Sequence, residues 1–517
     1  MTLLSNLSYA PTELSFGTSG LRGLVSEMTD LECYINVSGF LTYLRDTQNL
    51  QAGNCVFFAG DLRDSTPRIT QAVQQAIADQ GYEPRYYGCI PTPAIAYYAL
   101  QQTTACIMVT GSHIPADRNG IKFYKHDGEI LKQDETAIKA AVAKMRQTIY
   151  TVDSDTSQFT PEGSLKRPVQ LLEIDAAAST AYTERYTSVF DKTTLADTQL
   201  VFYQHSAVGR DLIVDILRAL GAEVITVGRS DIFVPIDSEN VTHGDQSYFK
   251  TLAATYPAAF AILSTDGDSD RPFVIDEIGN FHRGDVLGAV VATWCQADFA
   301  AVPISSSDAV DSYLTSQHID FRHTRIGSPY VIDAMQQAAQ SGVKRVVGWE
   351  VNGGFLLGSR LALAGPRLLE ALPTRDALLP MVVCLIQAID QSKKLSELFA
   401  ELPQRYTQAG LIDNFPVSAS RALIERYAIN DDTVRQDLSK YFTTALGYGN
   451  VVGINSLDGI RISFDNGDIA HIRPSGNAPQ LRIYSVSDSQ ARADEIVAQA
   501  LSEPSGIFRL MASDINQ

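Results

Sequence analysis

The 517-residue sequence lacks several features that would each define a class of function. No apolar run reaches the roughly 18 residues that a bilayer-spanning helix needs, so no membrane partner is expected. There are only six cysteines: Cys33, Cys55, Cys89, Cys106, Cys295 and Cys384. None forms a C-x-x-C pair and most lie in apolar runs, which reads as free thiols in a reducing compartment rather than disulfides or a zinc site. Positive charge is also scarce. Forty-one Lys and Arg against 59 Asp and Glu leave a formal net charge of −18, with a pI of about 4.9. That balance argues against nucleic acid or an anionic membrane as the main partner, and it requires any site for an anionic substrate to be locally basic. The opening segment MTLLSNLSYAPTELSFGTSG has neither a basic stretch nor a sustained apolar core. No secretory signal is expected, and the expected compartment is the cytoplasm. The segment FGTSGLRG (16–23) offers three glycines, two hydroxyls and Arg22, yet it is neither a Walker A loop nor a dinucleotide fingerprint.

What is present is an ordinary globular composition, 45% hydrophobic and 19% charged, over a length that exceeds one core. Short β-rich runs alternate with helical patterns, the mark of α/β layers. NCVFFAG (54–60) reads as a buried strand, and PRITQAVQQAIADQG as a helix with Pro67 at its start and Gly81 just past its end. An internal echo appears three times. VFFAGDLRDST (56–66), VFYQHSAVGRD (201–211) and AVPISSSDAVD (301–311) are each a strand, a polar turn and a helix start. Each is followed by a second apolar strand that enters a polar loop: ACIMVTGSH (105–113), AFAILSTDGDSD (259–270) and RVVGWEVNGG (345–354). Three related α/β units are the reading, with ligand loops at the carboxyl ends of strands. The polar stretch 151–168 reads as a linker, and the helical pattern of 393–410 ends at Pro403. Beyond it come a helical stretch from Pro416 to Leu446, four short strands and a helix from Asp488, an α+β tail domain.

Five loops carry candidate chemistry. In STDGDSDRP (264–272), Asp266, Asp268 and Asp270 alternate, and in an extended loop they share one side. Three crowded carboxylates ask for a hard divalent cation, with Arg271 beside them. A solvated acidic turn is the plainer alternative, and a calcium loop would need its twelfth residue, Glu277, as a ligand. In VTGSHIPADRNGIKFY (109–124), Gly111 permits a tight turn at whose tip stand Ser112 and His113, with Lys122 on the following strand. A serine needs a base or a cation to act as a nucleophile; otherwise this is a surface turn. In GWEVNGGFLLGS (348–359), Glu350 and Asn352 suit sugar hydroxyls, or else face water on a connection. In HIRPSGNAPQLRIY (471–484), Arg473, Ser475, Gly476 and Asn477, with Arg482 beyond, suit a phosphate or form an ordinary turn. FGTSGLRG is the fifth.

Together and in this order, the five segments resemble the α-D-phosphohexomutase superfamily of phosphomannomutases, phosphoglucomutases and phosphoglucosamine mutases. The resemblance spans nearly the whole chain. It implies four domains around a central cleft: three related α/β units with mixed sheets, at 1–160, 161–273 and 274–400, and a C-terminal α+β domain at 401–517. It implies an isomerase that interconverts hexose 1- and 6-phosphates through phospho-Ser112 and a hexose 1,6-bisphosphate, which also serves as activator. Asp266, Asp268 and Asp270, with phospho-Ser112, would hold one Mg²⁺ per chain. Glu350 and Asn352 would grip the sugar, and Arg473, Ser475, Gly476, Asn477 and Arg482 the distal phosphate. Arg22, His113, Lys122 and Arg271 would line the reacting end, with Lys122 as the candidate general base. The partner is then a small phosphosugar, and the protein a monomer or homodimer. Mannose is the expected sugar; glucose and glucosamine phosphates, a sugar phosphatase and a silent phosphosugar binder are the alternatives. Three departures from the family pattern stand out: Ile114 where T-[AG]-S-H-N-P has Asn, Gly354 where G-E-x-[SN]-G-H ends in His, and S-G-N-A-P in place of S-G-T-E-P.

Overall fold

Strands buried on both faces need near-continuous apolar sequence, and such runs pair in parallel under covering helices. The computed structural model, which describes residues 1–515 except 18, 19, 48, 52, 364 and 476–478, follows that rule three times. The first sheet contains β1 (Ser15–Phe16), β2 (Gly20–Leu24), β3 (Cys55–Gly60), β4 (Glu83–Cys89), β5 (Cys106–Val109), β6 (Arg118–Lys125) and β7 (Gly128–Glu129). Its order is β1-β2-β6-β5-β3-β4, with β7 on β6. The second contains β8 (Gln199–Tyr203), β9 (Glu223–Val227), β10 (Ala261–Thr265), β11 (Pro272–Asp276) and β12 (Phe281–His282), in the order β12-β11-β10-β8-β9. In the third, β13 (Phe299–Pro303) runs parallel to β14 (Val346–Trp349), which turns back into β15 (Phe355–Leu357), and β15 pairs with β16 (Leu372–Asp376).

The echo seen in the sequence is therefore structural. In each sheet the first echo strand (β3, β8, β13) lies parallel to the second (β5, β10, β14). The second strand then turns back in an antiparallel hairpin with β6, β11 or β15. The expected helix after β3 spans Thr66–Asp79, with Pro67 in its first turn and Gly81 at φ 81° beyond its end. The stretch 151–168 has no helix or named strand, as a linker should, yet it is not loose. Phe159 is buried in the first core and meets the Tyr34 ring edge-on at 5.3 Å, while the Leu165 N–H donates to Asp30 Oδ2 at 2.9 Å.

The described residues divide into two compact units, Met1–Ala301 with Gly327–Phe399, and Val302–Ile326 with Ala400–Gln517. The second unit holds an antiparallel sheet of β17 (Tyr406–Ile412), β18 (Val451–Asn455), β19 (Ile460–Phe464), β20 (Ile469–Pro474) and β21 (Leu481–Ser487), ordered β17-β21-β20-β19-β18. Alternating burial along β19 puts one face on a core shared with the helices Val417–Tyr427 and Gln490–Leu501. The expected tail strands are β18 to β21. Edge strand β17, missed in the sequence, follows Pro403 and is mostly exposed, with Ile412 its one buried residue. Among the described residues, no helix is long and apolar enough to cross a membrane.

If 151–168 is part of the first core, Phe159→Ala should cost about 3–5 kcal/mol. Urea unfolding would read it, and a loss under about 1 kcal/mol, typical of surface sites, would show the segment to be an unattached tether.

Candidate active site

The three hairpin turns carry the candidate residues: Ser112 between β5 and β6, Asp266 to Asp270 between β10 and β11, and Glu350 to Gly354 between β14 and β15. Ser112 sits at φ 55°, in the left-handed region that costs a non-glycine residue energy and persists only where surroundings enforce it. The enforcing residue is Arg63, which the sequence reading did not single out. Its Nη1 donates to the Pro115 and Arg118 carbonyls at 2.7 and 2.9 Å, and its Nη2 to those of Ser112 and Ile114 at 2.9 and 2.6 Å. Asp61 steadies the fork through Nε at 3.2 Å and takes the Thr110 hydroxyl at 2.8 Å, while Thr110 Oγ1 accepts the Ser112 N–H at 2.8 Å. Gly111 is needed for space: a Cβ there would lie 2.6 Å from Arg63 Cζ.

The Ser112 hydroxyl, 1% exposed, donates to Asp266 Oδ2 at 2.6 Å, so the nucleophile candidate and the acidic loop share one site. The aspartates do not alternate along an extended loop as expected. They converge on a tight turn in which Asp266 Oδ1 accepts the N–H groups of Asp270 and Arg271, both at 3.2 Å, and Ser269 takes φ 57°. All three are buried, with one oxygen from each lying within 4.8 Å of the others. Lys122 Nζ donates to Asp268 Oδ2 at 2.5 Å and Asp270 Oδ2 at 2.6 Å, and Thr92 Oγ1 donates to Asp268 Oδ2 at 2.5 Å. Asp268 Oδ1 and Asp270 Oδ1 are buried with no hydrogen-bond partner among the described residues. Two orphaned carboxylate oxygens in an all-oxygen donor set fit a hard divalent cation. The calcium-loop alternative fails, because Glu277 follows β11 and accepts the Ser396 N–H at 3.2 Å.

Charge explains the pKa directions. Burial, then Asp268 and Asp270, push the Asp266 carboxyl well above its ordinary value. Burial would raise Asp270 too, but Arg375, Lys122 and Arg271 outweigh it and hold that carboxyl below the usual range. Arg271 lies 3.8 Å from both Asp266 and Asp270, and it also faces Asp237 at 3.4 Å and Glu239 at 3.8 Å. His113 Nδ1 is 3.4 Å from Ser112 Oγ, and burial followed by Arg271 and Arg22 pushes the imidazole well below its normal pKa, so it is neutral at pH 7. Arg22, opposite Gly120 in the β2–β6 register, is lowered to about 10 by burial and then by Arg271 and Arg375. A half-buried guanidinium facing two others favours a bound anion.

In the third hairpin, Glu350 Oε2 accepts from Arg375 Nη1 at 2.9 Å. Asn352 is fully buried and commits its carboxamide locally, with Oδ1 taking the Gly354 N–H at 3.0 Å and Nδ2 donating to Glu239 at 2.9 Å. Arg375 also donates through Nε to Asp270 Oδ2 at 2.9 Å. Arg63, Thr92, Asp237, Glu239 and Arg375 were absent from the sequence reading. The one local signal was D-L-R at 61–63 directly after a buried strand.

In the second unit, Arg473 and Arg482 stand directly opposite each other on β20 and β21. Arg473 Nε donates to Asp458 Oδ2 at 2.9 Å, and Arg482 Nε is buried without a partner among the described residues. The Ser475 N–H closes the turn on the Gln480 carbonyl at 2.9 Å. Asp458 balances Arg473, and the unpartnered Arg482 Nε beside it leaves a charged donor that suits an anion. Gly476 and Asn477 lie outside the described residues.

The hairpins, the three aspartates and the basic groups around Ser112 define a class of phosphoryl-handling α/β enzymes, and comparison with known proteins narrows it. Residues 13–148 match the α/β/α domain I of phosphoglucomutase/phosphomannomutase, 283–406 its α/β/α domain III, and 430–502 its C-terminal domain. The chain is 40% identical to a phosphomannomutase of Salmonella muenchen over 95% of each chain. It is 37% identical to a phosphomannomutase of Sinorhizobium fredii, over 94% of this chain and 98% of that one. A phosphoglucomutase/phosphomannomutase family protein of Burkholderia thailandensis shares the fold, with a TM-score of 0.71 at 17% identity over 98% of each chain. This chain belongs to the phosphoglucomutase/phosphomannomutase family of the α-D-phosphohexomutase superfamily. It is a phosphohexomutase, an isomerase.

Two outcomes follow from this geometry. Asp268→Asn should raise the divalent-ion concentration for half-maximal activity by about 10-fold or more, and an unchanged metal titration would remove Asp268 as a ligand. Arg63→Met should lower kcat/KM by about 100-fold through misplacement of Ser112, with a cooperative melting transition that persists at a lower temperature because Asp61 loses its buried partner. Wild-type kinetics in that variant would show that the fork does not position the serine.

Proposed function

We propose that the chain is a cytoplasmic, Mg²⁺-dependent phosphomannomutase that interconverts mannose 1-phosphate and mannose 6-phosphate through phosphorylated Ser112. The observation that carries this reading is the 2.6 Å hydrogen bond from Ser112 Oγ to Asp266, which joins the nucleophile to the acidic cluster. The sugar assignment is supported by the likeness to the phosphomannomutases of Salmonella muenchen and Sinorhizobium fredii, at 40% and 37% identity. The reading divides the chain into four domains, 1–160, 161–273, 274–400 and 401–517.

Bound at Asp266, Asp268 and Asp270, Mg²⁺ would draw charge from the transferring phosphoryl oxygens. The chain's own residues do the rest. Arg473, Ser475, Gly476, Asn477 and Arg482 hold the phosphate that does not react, and Glu350 and Asn352 grip the sugar hydroxyls. Asn352 must exchange its bond to Glu239 to do so. The free hydroxyl of the sugar loses its proton to Lys122, the proposed general base, which must first give up one of the protons it donates to Asp268 and Asp270; neutral His113, 3.4 Å from Ser112 Oγ, is the alternative acceptor. The sugar oxygen bonds to phosphorus as the bond to Ser112 Oγ breaks, giving a hexose 1,6-bisphosphate. Arg22 and Arg271 stabilise the charge on the transferring group. The bisphosphate turns over, returns its other phosphate to Ser112 and leaves as the isomer. A monomer or homodimer suffices.

Ser112→Ala should cut turnover by roughly 10⁴-fold or more while the protein stays folded. Full activity in that variant would remove the phosphoserine route. Measured side by side, kcat/KM should be highest for mannose 1-phosphate. A higher value for glucose or glucosamine 1-phosphate would overturn the sugar assignment and leave the mutase reading standing.

A further inference from the structure

Arg375 lies near the end of β16, a strand whose pairing with β15 sets Asp376 opposite Phe355 and so brings Arg375 against Gly354. A Cβ at 354 would lie 2.5 Å from Arg375 Cγ and 2.7 Å from its Cδ, so the arginine fills the volume that a side chain at 354 would occupy. From there the buried guanidinium reaches two loops at once: Nε to Asp270 Oδ2 at 2.9 Å, and Nη1 to Glu350 Oε2 at 2.9 Å. It is anchored from behind, since Nη1 also donates to Ser328 Oγ at 3.1 Å and Ser328 Oγ donates to Glu129 Oε2 at 2.8 Å. Thr374 Oγ1 holds the other oxygen of Glu129 at 2.5 Å. Among the described residues Glu350 is hydrogen-bonded through Oε2 and not through Oε1, so the carboxylate is fixed by one oxygen and offers the other.

A carboxylate clamped on one oxygen is a directional acceptor, and direction is what separates two sugars that differ only in the stereochemistry of one hydroxyl. We propose that Arg375 is a positioning residue for sugar selection: it orients Glu350 Oε1 toward a hydroxyl of the hexose phosphate and ties that orientation to Asp270 in the aspartate loop. The space left at Gly354 is what allows the strut. This inference rests on the mutase reading and on Glu350 as the sugar-gripping group. A lysine would offer its donors from one nitrogen, as Lys122 does to Asp268 and Asp270, whereas Arg375 meets Asp270 and Glu350 through two separate nitrogens of a rigid plane.

The test compares R375M, E350Q, R375M/E350Q and G354A, as full-length enzyme with Mg²⁺, on mannose 1-phosphate and glucose 1-phosphate, with thermal melts. R375M and E350Q should each shrink the kcat/KM ratio between the two sugars by about fivefold or more, mainly through KM. Because both act through one carboxylate, the double variant should lose no more than about twofold beyond the worse single. G354A, which forces the arginine aside without removing its charge, should shift the ratio the same way. A preserved ratio in folded R375M, or losses that multiply in the double variant, overturns the proposal. If R375M does not fold, G354A decides, and an unchanged ratio in it is fatal. A wild-type enzyme that isomerises neither sugar overturns the mutase reading and this inference together, whereas an active wild type with an indifferent R375M overturns the inference alone.

Discussion

The site is organised by the repulsion among three buried carboxylates at one hairpin turn. Asp266, Asp268 and Asp270 are all 0% exposed, with ligand oxygens within 4.8 Å of one another, an arrangement too costly to keep unless cations and donors are brought to it. They come from separate parts of the chain: Lys122 from β6, Arg375 from β16, Thr92 from the helix Thr92–Gln101 and the Ser112 hydroxyl from the first hairpin. Each of these contacts ties one α/β unit to the loop of another. The charge balance that makes the aspartates tolerable is therefore also what gathers the three hairpin turns into one place. Buried ion pairs of this kind contribute little net stability, but removing one partner is expensive, and that asymmetry specifies the geometry.

The same balance lets an acidic protein take an anionic substrate. The net charge of −18 belongs to the whole chain, whereas the first unit collects Arg22, Lys122, Arg271 and Arg375 around Ser112. Of these, Lys122 and Arg375 are paired to the aspartates at hydrogen-bond distance, while among the described residues Arg22 faces other guanidiniums, and burial and then Arg271 lower its pKa to about 10. A phosphoryl group entering there would relieve that repulsion. In the second unit Arg473 is balanced by Asp458, and the facing Arg482 holds a buried nitrogen with no partner among the described residues.

Much of this was legible in the sequence because local signals fall on the hairpin turns. A buried strand announces itself by a run such as CVFFAG, and a crowded aspartate turn by D-x-D-x-D; both need only a few consecutive residues. The threefold pattern could be read for the same reason. Edge strand Tyr406–Ile412 could not, since it is polar, half exposed and follows a helical pattern. Nor could the long-range partners. Arg63 binds carbonyls about fifty residues away, and Arg375 reaches an aspartate 105 residues earlier, so no window of sequence contains both ends. The departures from the family pattern also needed coordinates. At Gly354, where the resemblance leads one to expect His, the space is taken by Arg375. Gly111 serves the passage of Arg63 rather than the turn alone.

The central claim is that Ser112, held against Asp266, carries the phosphoryl group between the two ends of the sugar. The most direct test incubates the enzyme with hexose 1,6-bisphosphate labelled in its phosphates, quenches it during turnover and maps the label by peptide mass spectrometry. The account predicts labelled phosphate on the peptide containing Ser112, exchanged for unlabelled phosphate on adding unlabelled monophosphate. Steady isomerisation with no phosphate on that residue at any time would contradict it.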